Sequence, residues 1–252
     1  MELVFLGTGT SHGVPMIGCD CPVCTSNDPR NHRTRTSAFL NVDGIHLLID
    51  TAPELRLQAI REHITRVDAL LFTHSHADHL FGLDDVRRFN DLGGNHLRCY
   101  GSGETLKTIR RAFEYVFVPT QIGGGKPALE LVEVTAPFTV DGLEVTPIPI
   151  WHGAMPVLGY RIGNLAYVTD CSRIPESSSE LLSNLDVLVL GVLRVEPHET
   201  HFCLDEGLAV VEELAPERAF FTHVSHRMDH ETTDLSLPDG VQLAYDGLRI
   251  SV

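Results

Sequence analysis

Positive charge is what this sequence has least of: 19 Lys and Arg face 34 Asp and Glu in 252 residues, a formal net charge of -15. Such a surface does not track a phosphate backbone, because that mode of binding draws its energy from neutralising many phosphates and releasing their counterions. Extended nucleic acid is therefore not expected as a partner. A small anion in a cleft remains admissible, since net charge governs long-range steering and not the field inside a pocket. The chain also lacks any run near the ~18 apolar residues of a membrane span. Its start, Met1-Glu2-Leu3-Val4-Phe5-Leu6-Gly7, has neither the cationic segment nor the apolar stretch of an export signal. The expectation is a cytoplasmic protein with no membrane contact. Repeats, low-complexity tracts and linker-like runs are missing as well. With 43% hydrophobic residues and a mean hydropathy of +0.02, residues 1–252 read as a single domain around one sizeable core.

Short apolar, β-branched runs recur at 3–6, 38–42, 46–49, 69–72, 143–150, 166–169, 187–190 and 218–222 and read as strands. Helical patterns fall at 53–62, 103–115, 176–182 and 205–214, the first with Pro53 at its entrance. Strand-like runs follow one another over 124–159 without a helix, which argues against a strict βα repeat. The order suits an α/β protein of two facing sheets with helices packed outside, although periodicity alone does not select it.

The densest chemistry is His74-Ser75-His76-Ala77-Asp78-His79, four potential metal ligands in six positions directly after an apolar run. A strand would scatter these side chains over both faces, but a tight turn leading into a helix can aim them into one pocket. Imidazole and carboxylate suit zinc, and manganese or iron as well. His152, Asp170 and His223 each end another apolar run, so strand ends meeting along one edge can add them to the same site. Asp50, ending the run 47–49, is read as a carboxylate that hydrogen-bonds a ligand His. His46, His63 and His96 lack such context and read as ordinary imidazoles.

Six cysteines without an export signal favour metal ligation over disulfides. Cys19, Cys21 and Cys24 lie within six positions of a Gly- and Pro-punctuated loop. Tetrahedral zinc needs a fourth ligand, and His226, three residues beyond His223, is the first choice, with His230 and His12 as alternatives. The competing reading is a reduced, unliganded cluster or an adventitious disulfide. Cys99, Cys171 and Cys203 are isolated and read as structural. Gly7-Thr8-Gly9-Thr10-Ser11-His12-Gly13 is not a dinucleotide loop, since it leads into the cysteines instead of a helix; no nucleotide cofactor is expected. Arg33 with Arg35, or Arg87 with Arg88, has the geometry for a substrate phosphate, but solvated or Asp-paired surface Arg is the commoner role.

The pattern His74, His76, Asp78, His79 resembles the HxHxDH signature of the metallo-β-lactamase-fold hydrolases, over the whole chain. The resemblance implies an αββα sandwich. It also implies one metal on His74, His76 and His152, a second on Asp78, His79 and His223, and Asp170 bridging. Through a metal-bridging hydroxide, two such ions (zinc or manganese) clamp a phosphoryl centre. Asp78 then orients the nucleophile, and His201, with His198 as the weaker competitor, donates a proton to the leaving alkoxide. The cysteine site and the run Phe5 to Gly13 narrow the likeness. The sequence is similar to the phosphoribosyl cyclic phosphodiesterases, accessory proteins of carbon-phosphorus lyase in phosphonate metabolism. That branch implies a structural zinc on Cys19, Cys21, Cys24 and His226, a small anionic phosphodiester as substrate, and a homodimer. Rival readings are a tRNA 3′-processing endonuclease, a lactone or thioester hydrolase, a cofactor-biosynthesis relative, and a metal-bound scaffold without turnover.

Overall fold

Apolar runs with no polar face require cover on both sides, and the protein supplies it. The computed structural model describes residues 1–119 and 125–252. Its strands are β1 (Glu2–Gly7), β2 (Ser37–Val42), β3 (Ile45–Ile49), β4 (Ala69–Leu71), β5 (Leu97–Gly101), β6 (Leu129–Glu133), β7 (Phe138–Val140), β8 (Leu143–His152), β9 (Met155–Ile162), β10 (Leu165–Val168), β11 (Val187–Arg194), β12 (Phe202–Cys203), β13 (Arg218–Thr222), β14 (Val241–Leu243) and β15 (Arg249–Ser251). The helices are α1 (Leu55–Arg61), α2 (Ala77–Leu80), α3 (Arg87–Gly93), α4 (Gly103–Ala112), α5 (Glu114–Phe117), α6 (Glu176–Ser179), α7 (Leu204–Leu214) and α8 (His230–Asp234). Among the described residues one sheet has the order β15-β1-β2-β3-β4-β5-β6 and the other β14-β13-β11-β10-β9-β8-β7, with β12 pairing β11.

Alternate residues of each buried strand enter different layers. From β1, Leu3 and Phe5 join the core between the sheets, where they meet Tyr160, Tyr167 and Phe220. Val4 and Leu6 face the other way, into a layer with Leu55, Phe89, Leu106 and Ile109 from the helices. The second sheet repeats this. Val187 and Val189 point inward, whereas Leu188 and Leu190 point out toward α7. At Gly207 of α7 a β-carbon would come within 2.6 Å of Val192, so glycine is what lets that helix lie close on β11. The result is the αββα sandwich of the metallo-β-lactamase fold.

Several element boundaries differ from the sequence reading for local reasons. The helix expected over 103–115 splits because Phe113 leaves helical geometry (φ -116, ψ 40) and buries its ring in the outer core. The helix expected over 176–182 is one α-turn continued by a 3-10 turn at Glu180–Leu182. Strand β8 runs on to His152, and β11 runs on to Arg194. Residue 124, the first of the helix-free segment 124–159, lies outside the described residues. No helix among the described residues is long and apolar enough to cross a membrane.

Candidate metal centre

The site lies where strands stop. The ends of β3, β4, β8, β10 and β13 deliver Asp50, the 74–79 turn, His152, Asp170 and His223 to one edge of the sandwich. Asp50 (φ 57), Asp170 (φ 48) and His223 (φ 60) all adopt the left-handed backbone conformation. Asp and His tolerate it better than branched residues, and it turns a side chain sharply out of its strand. After β4, helix α2 starts at Ala77, so Asp78 and His79 share its first turn while His74 and His76 precede it.

All seven residues expected around metals come together. Ligand atoms of His74, His76, His152 and Asp170 lie within 4.8 Å of one another, and so do those of Asp78, His79, Asp170 and His223. Asp170 belongs to both groups. The Nε2 atoms of His79 and His223 are each 3.4 Å from Asp170 Oδ1, and 3.4 and 3.5 Å from Asp78 Oδ2. Such spacing is long for charge-assisted hydrogen bonds. It matches the separation of about 3.4 Å between neighbouring ligands that bind a tetrahedral ion at about 2.0–2.1 Å. Buried Nε2 atoms of His74, His79 and His223 have no hydrogen-bond partner among the described residues. Orphaned buried nitrogens that converge on carboxylates fit divalent cations.

Three of the ligand imidazoles are held through their other nitrogen. His79 Nδ1 lies 2.8 Å from Asp50 Oδ2, His152 Nδ1 is 2.7 Å from the Thr200 carbonyl, and His74 Nδ1 is 3.0 Å from Thr73 Oγ1. Asp50 also accepts from the Thr73 amide and hydroxyl at 2.8 and 2.7 Å. These contacts orient the imidazoles of His74, His79 and His152 with Nε2 toward the shared carboxylates.

The electrostatics show how much cationic charge the site invites. Burial alone would raise Asp170, but the neighbouring His223, His79 and His74 pull it well below the carboxylate range. Asp78 follows the same pattern, with His223 and His79 overcoming its burial. Burial would lower His79, yet Asp170 and Asp50 push it well above the ordinary imidazole value. His74 and His76 are lowered, first by burial and then by neighbouring imidazoles. A divalent cation held beside these carboxylates would supply the positive charge that their field favours.

His201 stands at the rim, its ring centroid 4.5 Å from His152 and 4.9 Å from His223. Burial and His223 lower its pKa to about 3, and His198 lies 5.2 Å away. The glycine-bearing loop runs beside this centre: Val224, next to His223, donates its amide to the Thr8 carbonyl at 2.8 Å.

Cys19, Cys21, Cys24 and His226 form a second cluster with all four ligand atoms within 4.8 Å. The sulfurs of Cys19 and Cys21 are each 3.4 Å from His226 Nδ1, close to the edge of about 3.6 Å expected for mixed sulfur and nitrogen ligands on tetrahedral zinc. All six cysteines are free thiols. The alternative ligand His230 is engaged elsewhere, its Nδ1 3.0 Å from Arg33 Nη2. Arg33 is buried and also donates to Thr8 Oγ1 at 2.8 Å, while Arg35 pairs with Glu54 at 2.7 Å. Arg87 pairs with Asp84, and with Arg88 lines a groove between α1 and α3. None of these four lines the cavity beside His201.

Sequence reasoning missed two arginines that do line that cavity, Arg194 and Arg227. The available signals were position: Arg194 ends β11 just as the ligands end their strands, and Arg227 follows His226.

A profile described as "Beta-lactamase superfamily domain" matches residues 46–224. The chain is 37% identical to an octanoyltransferase of Porphyromonas gingivalis over 99% of its own length, and spans about half (51%) of that protein. It is 29% identical to a coenzyme PQQ synthesis protein B of Methylobacterium, covering 75% of this chain and 72% of that one. A crystal structure of a diphosphatase from the PhnP family superposes with a TM-score of 0.93 at 42% identity, over 100% of this chain and 97% of the other. Human tRNase Z, short form, shares the fold at a TM-score of 0.75 and 19% identity, over 100% of this chain and 99% of that one. With the sandwich described above, these likenesses place the chain in the beta-lactamase superfamily, with the metallo-β-lactamase fold and a His/Asp donor set suited to divalent metal ions.

Proposed function

We propose that the protein is a phosphodiesterase for small cyclic phosphodiesters such as phosphoribosyl cyclic phosphate. In this reading His74, His76 and His152 hold one zinc or manganese ion and Asp78, His79 and His223 a second, with Asp170 between them. Cys19, Cys21, Cys24 and His226 hold a structural zinc. The observation that carries the reading is the pair of four-ligand clusters sharing Asp170, with His201 at their edge. Two divalent cations held by these residues would supply a water of lowered pKa and neutralise the phosphoryl oxygens.

The remaining work belongs to the side chains. Asp78, kept ionised by His79 and His223, orients the attacking water. Asp50 holds the ring of His79, and the Thr200 carbonyl holds that of His152. His201 stands beside His152 and His223, and its imidazolium form, which the negative charge of a bound phosphodiester would favour against burial, would donate the proton that the leaving oxygen takes as the phosphorus–oxygen bond breaks.

The PhnP-family diphosphatase favours a second reading, cleavage of a phosphoanhydride at the same centre. The deciding assay gives metal-loaded protein bis(p-nitrophenyl) phosphate, a ribose cyclic phosphate and a nucleoside diphosphate, beside His76→Ala prepared identically. Diester turnover that falls by roughly a thousandfold or more in His76→Ala supports the proposal, on the scale of water activation by metal. Turnover of the diphosphate alone selects the second reading. Silence on all three from folded, metal-loaded protein overturns both and directs attention to lactones and thioesters.

A further inference from the structure

His223 is held in the metal centre by different means from its neighbours. His74, His79 and His152 each have the second ring nitrogen engaged, by Thr73, by Asp50 or by the Thr200 carbonyl. His223 is 1% exposed, yet neither of its ring nitrogens has a hydrogen-bond partner among the described residues. Its ring packs nearly parallel to those of His79 and His201, at interplanar angles of 19° and 15°. Stacking limits the tilt of the ring, but no polar contact sets the direction of Nε2. That direction is left to the backbone.

The backbone here is gripped by the glycine-bearing loop. At Val224, immediately after His223, the amide donates to the Thr8 carbonyl at 2.8 Å and the carbonyl accepts from the Thr10 amide at 3.2 Å. Between them, the Gly9 amide donates to the Thr34 carbonyl at 2.8 Å, and a β-carbon on Gly9 would come within 2.8 Å of the Arg33 carbonyl oxygen. Only glycine lets the loop lie this close. Thr8 is fully buried and is fixed through its side chain as well. Its hydroxyl accepts from Arg33 Nη1 at 2.8 Å and donates to Asp246 Oδ1 at 2.9 Å, and its amide donates to the same oxygen at 2.9 Å. Asp246 also accepts from the Thr34 amide at 2.8 Å. Arg33 is 2% exposed and has no direct ion pair among the described residues, so the Thr8 hydroxyl is the bridge between its guanidinium and the Asp246 carboxylate. Burial lowers Arg33 to about 10, and Asp246 is the foremost charge opposing that fall. A buried charge loses much when its partner is removed, which stiffens this bridge.

We infer that Arg33, Thr8 and Asp246 are positioning residues that aim His223 at the ion shared with Asp78 and His79, supplying through the backbone the hold that its Nδ1 lacks. This rests on the two-ion reading and goes beyond it, giving the Gly7 to Gly13 run and the buried Arg33 a role. The path is short. Guanidinium and carboxylate fix Thr8, Thr8 fixes Val224, and Val224 fixes the left-handed turn (φ 60) from which His223 projects. Ligand distances tolerate only about 0.2 Å, so a small slip at Val224 is felt at Nε2.

The test uses Thr8→Val, which keeps the branched shape and removes the hydroxyl, and Thr8→Ser, which restores the hydroxyl. Chelator titration of metal-loaded protein should find the ion on Asp78, His79 and His223 bound about tenfold more weakly in Thr8→Val, the scale of losing support behind a ligand. Thr8→Ser should bring it back to within about threefold of wild type, and the ion on His74, His76 and His152 should stay within about threefold in both variants. In zinc-loaded protein the proton NMR signal of the His223 Nδ1–H should move in Thr8→Val and return in Thr8→Ser, while those of His74 and His152 stay in place. Equal weakening of both ions, an unmoved His223 signal, or no recovery in Thr8→Ser overturns the proposal. Amide hydrogen exchange on metal-free protein reads the same link independently, and Val224 should exchange roughly tenfold faster or more in Thr8→Val. If wild type takes no ion on Asp78, His79 and His223 while Val224 exchange still rises in Thr8→Val, the two-ion reading falls and the hold on the His223 turn stands. Unchanged Val224 exchange overturns that hold whatever the metal does.

Discussion

The two ends of one short segment, His223 and His226, serve ligand clusters of opposite construction. His223 is 1% exposed and joins a centre delivered by the ends of five strands from both sheets. His226 is partly exposed and faces thiols on a loop with no strand of its own, backed by a small cluster of Val14, Val23 and Cys24. In the first, Asp50, Thr73 and Thr200 hold His79, His74 and His152 from behind. In the second, the described contacts to the sulfurs come mainly from the other ligands and from the amides of Met16 and Cys24. The difference predicts that the centre built on strand ends depends less on its ions for its shape than the loop cluster does.

Three changes break or sharpen this contrast. The largest effect on activity is expected from His201→Gln, which removes the proposed acid but none of the ligands. Steady-state kinetics should show kcat reduced by about 100- to 10,000-fold, the usual span for loss of a general acid. Metal analysis of the same sample should show unchanged content. A fall in metal content along with kcat would place His201 among the ligands.

Asp50→Asn comes next and strikes the support behind His79. Burial raises the Asp50 carboxyl, while His79 and the Thr73 donors pull against that rise, so the residue sits in a tense position with 1% exposure. Replacing such a partner lowers metal affinity by about 10- to 100-fold. Titration against a chelator of known affinity should find the weakening at the ion held by Asp78, His79 and His223, with the cysteine cluster unchanged. Equal weakening at both ions would mean that Asp50 shapes the whole edge of the sandwich.

Much of this was readable in the chain because strand ends carry a signature: an apolar run that stops on His or Asp. That is how 69–72, 166–169 and 218–222 pointed to the 74–79 turn, Asp170 and His223. Runs such as Val187 to Leu190, which have no polar face, called for cover on both sides, and the resemblance carried by the 74–79 motif selected the two facing sheets. Short or mixed strands were not. Leu97–Gly101 contains Arg98, and Arg249–Ser251 is three residues long, so neither contrasts with its flanks. The left-handed backbone of Asp50, Asp170 and His223 is also invisible in composition, since it depends on the turn that tertiary packing imposes. The cavity arginines escaped for a related reason. Nothing in their spacing distinguishes Arg194 and Arg227 from Arg87 and Arg88; only the fold puts the first pair beside His201 and the second beside α1.

The smallest effect on activity, and the one that bears most directly on the contrast, is expected from Cys21→Ser. The Cys24 amide and His226 lower the Cys21 thiol to about 6, whereas burial pushes Cys24 up to about 11. A divalent cation held there would bind both as thiolates and remove that imbalance. Losing one sulfur should release roughly one zinc per chain, measured by elemental analysis. Thermal unfolding should move down by about 2–4 °C for each kcal/mol of binding free energy lost. Because the strand-end centre does not take its shape from this loop, diester turnover at 25 °C should stay within about threefold of wild type, the ordinary scatter of single-site effects. A collapse of turnover with the catalytic metals still bound would show that His226 transmits the order of the cysteine loop through Val224 to His223, and the two clusters would then be one cooperative unit.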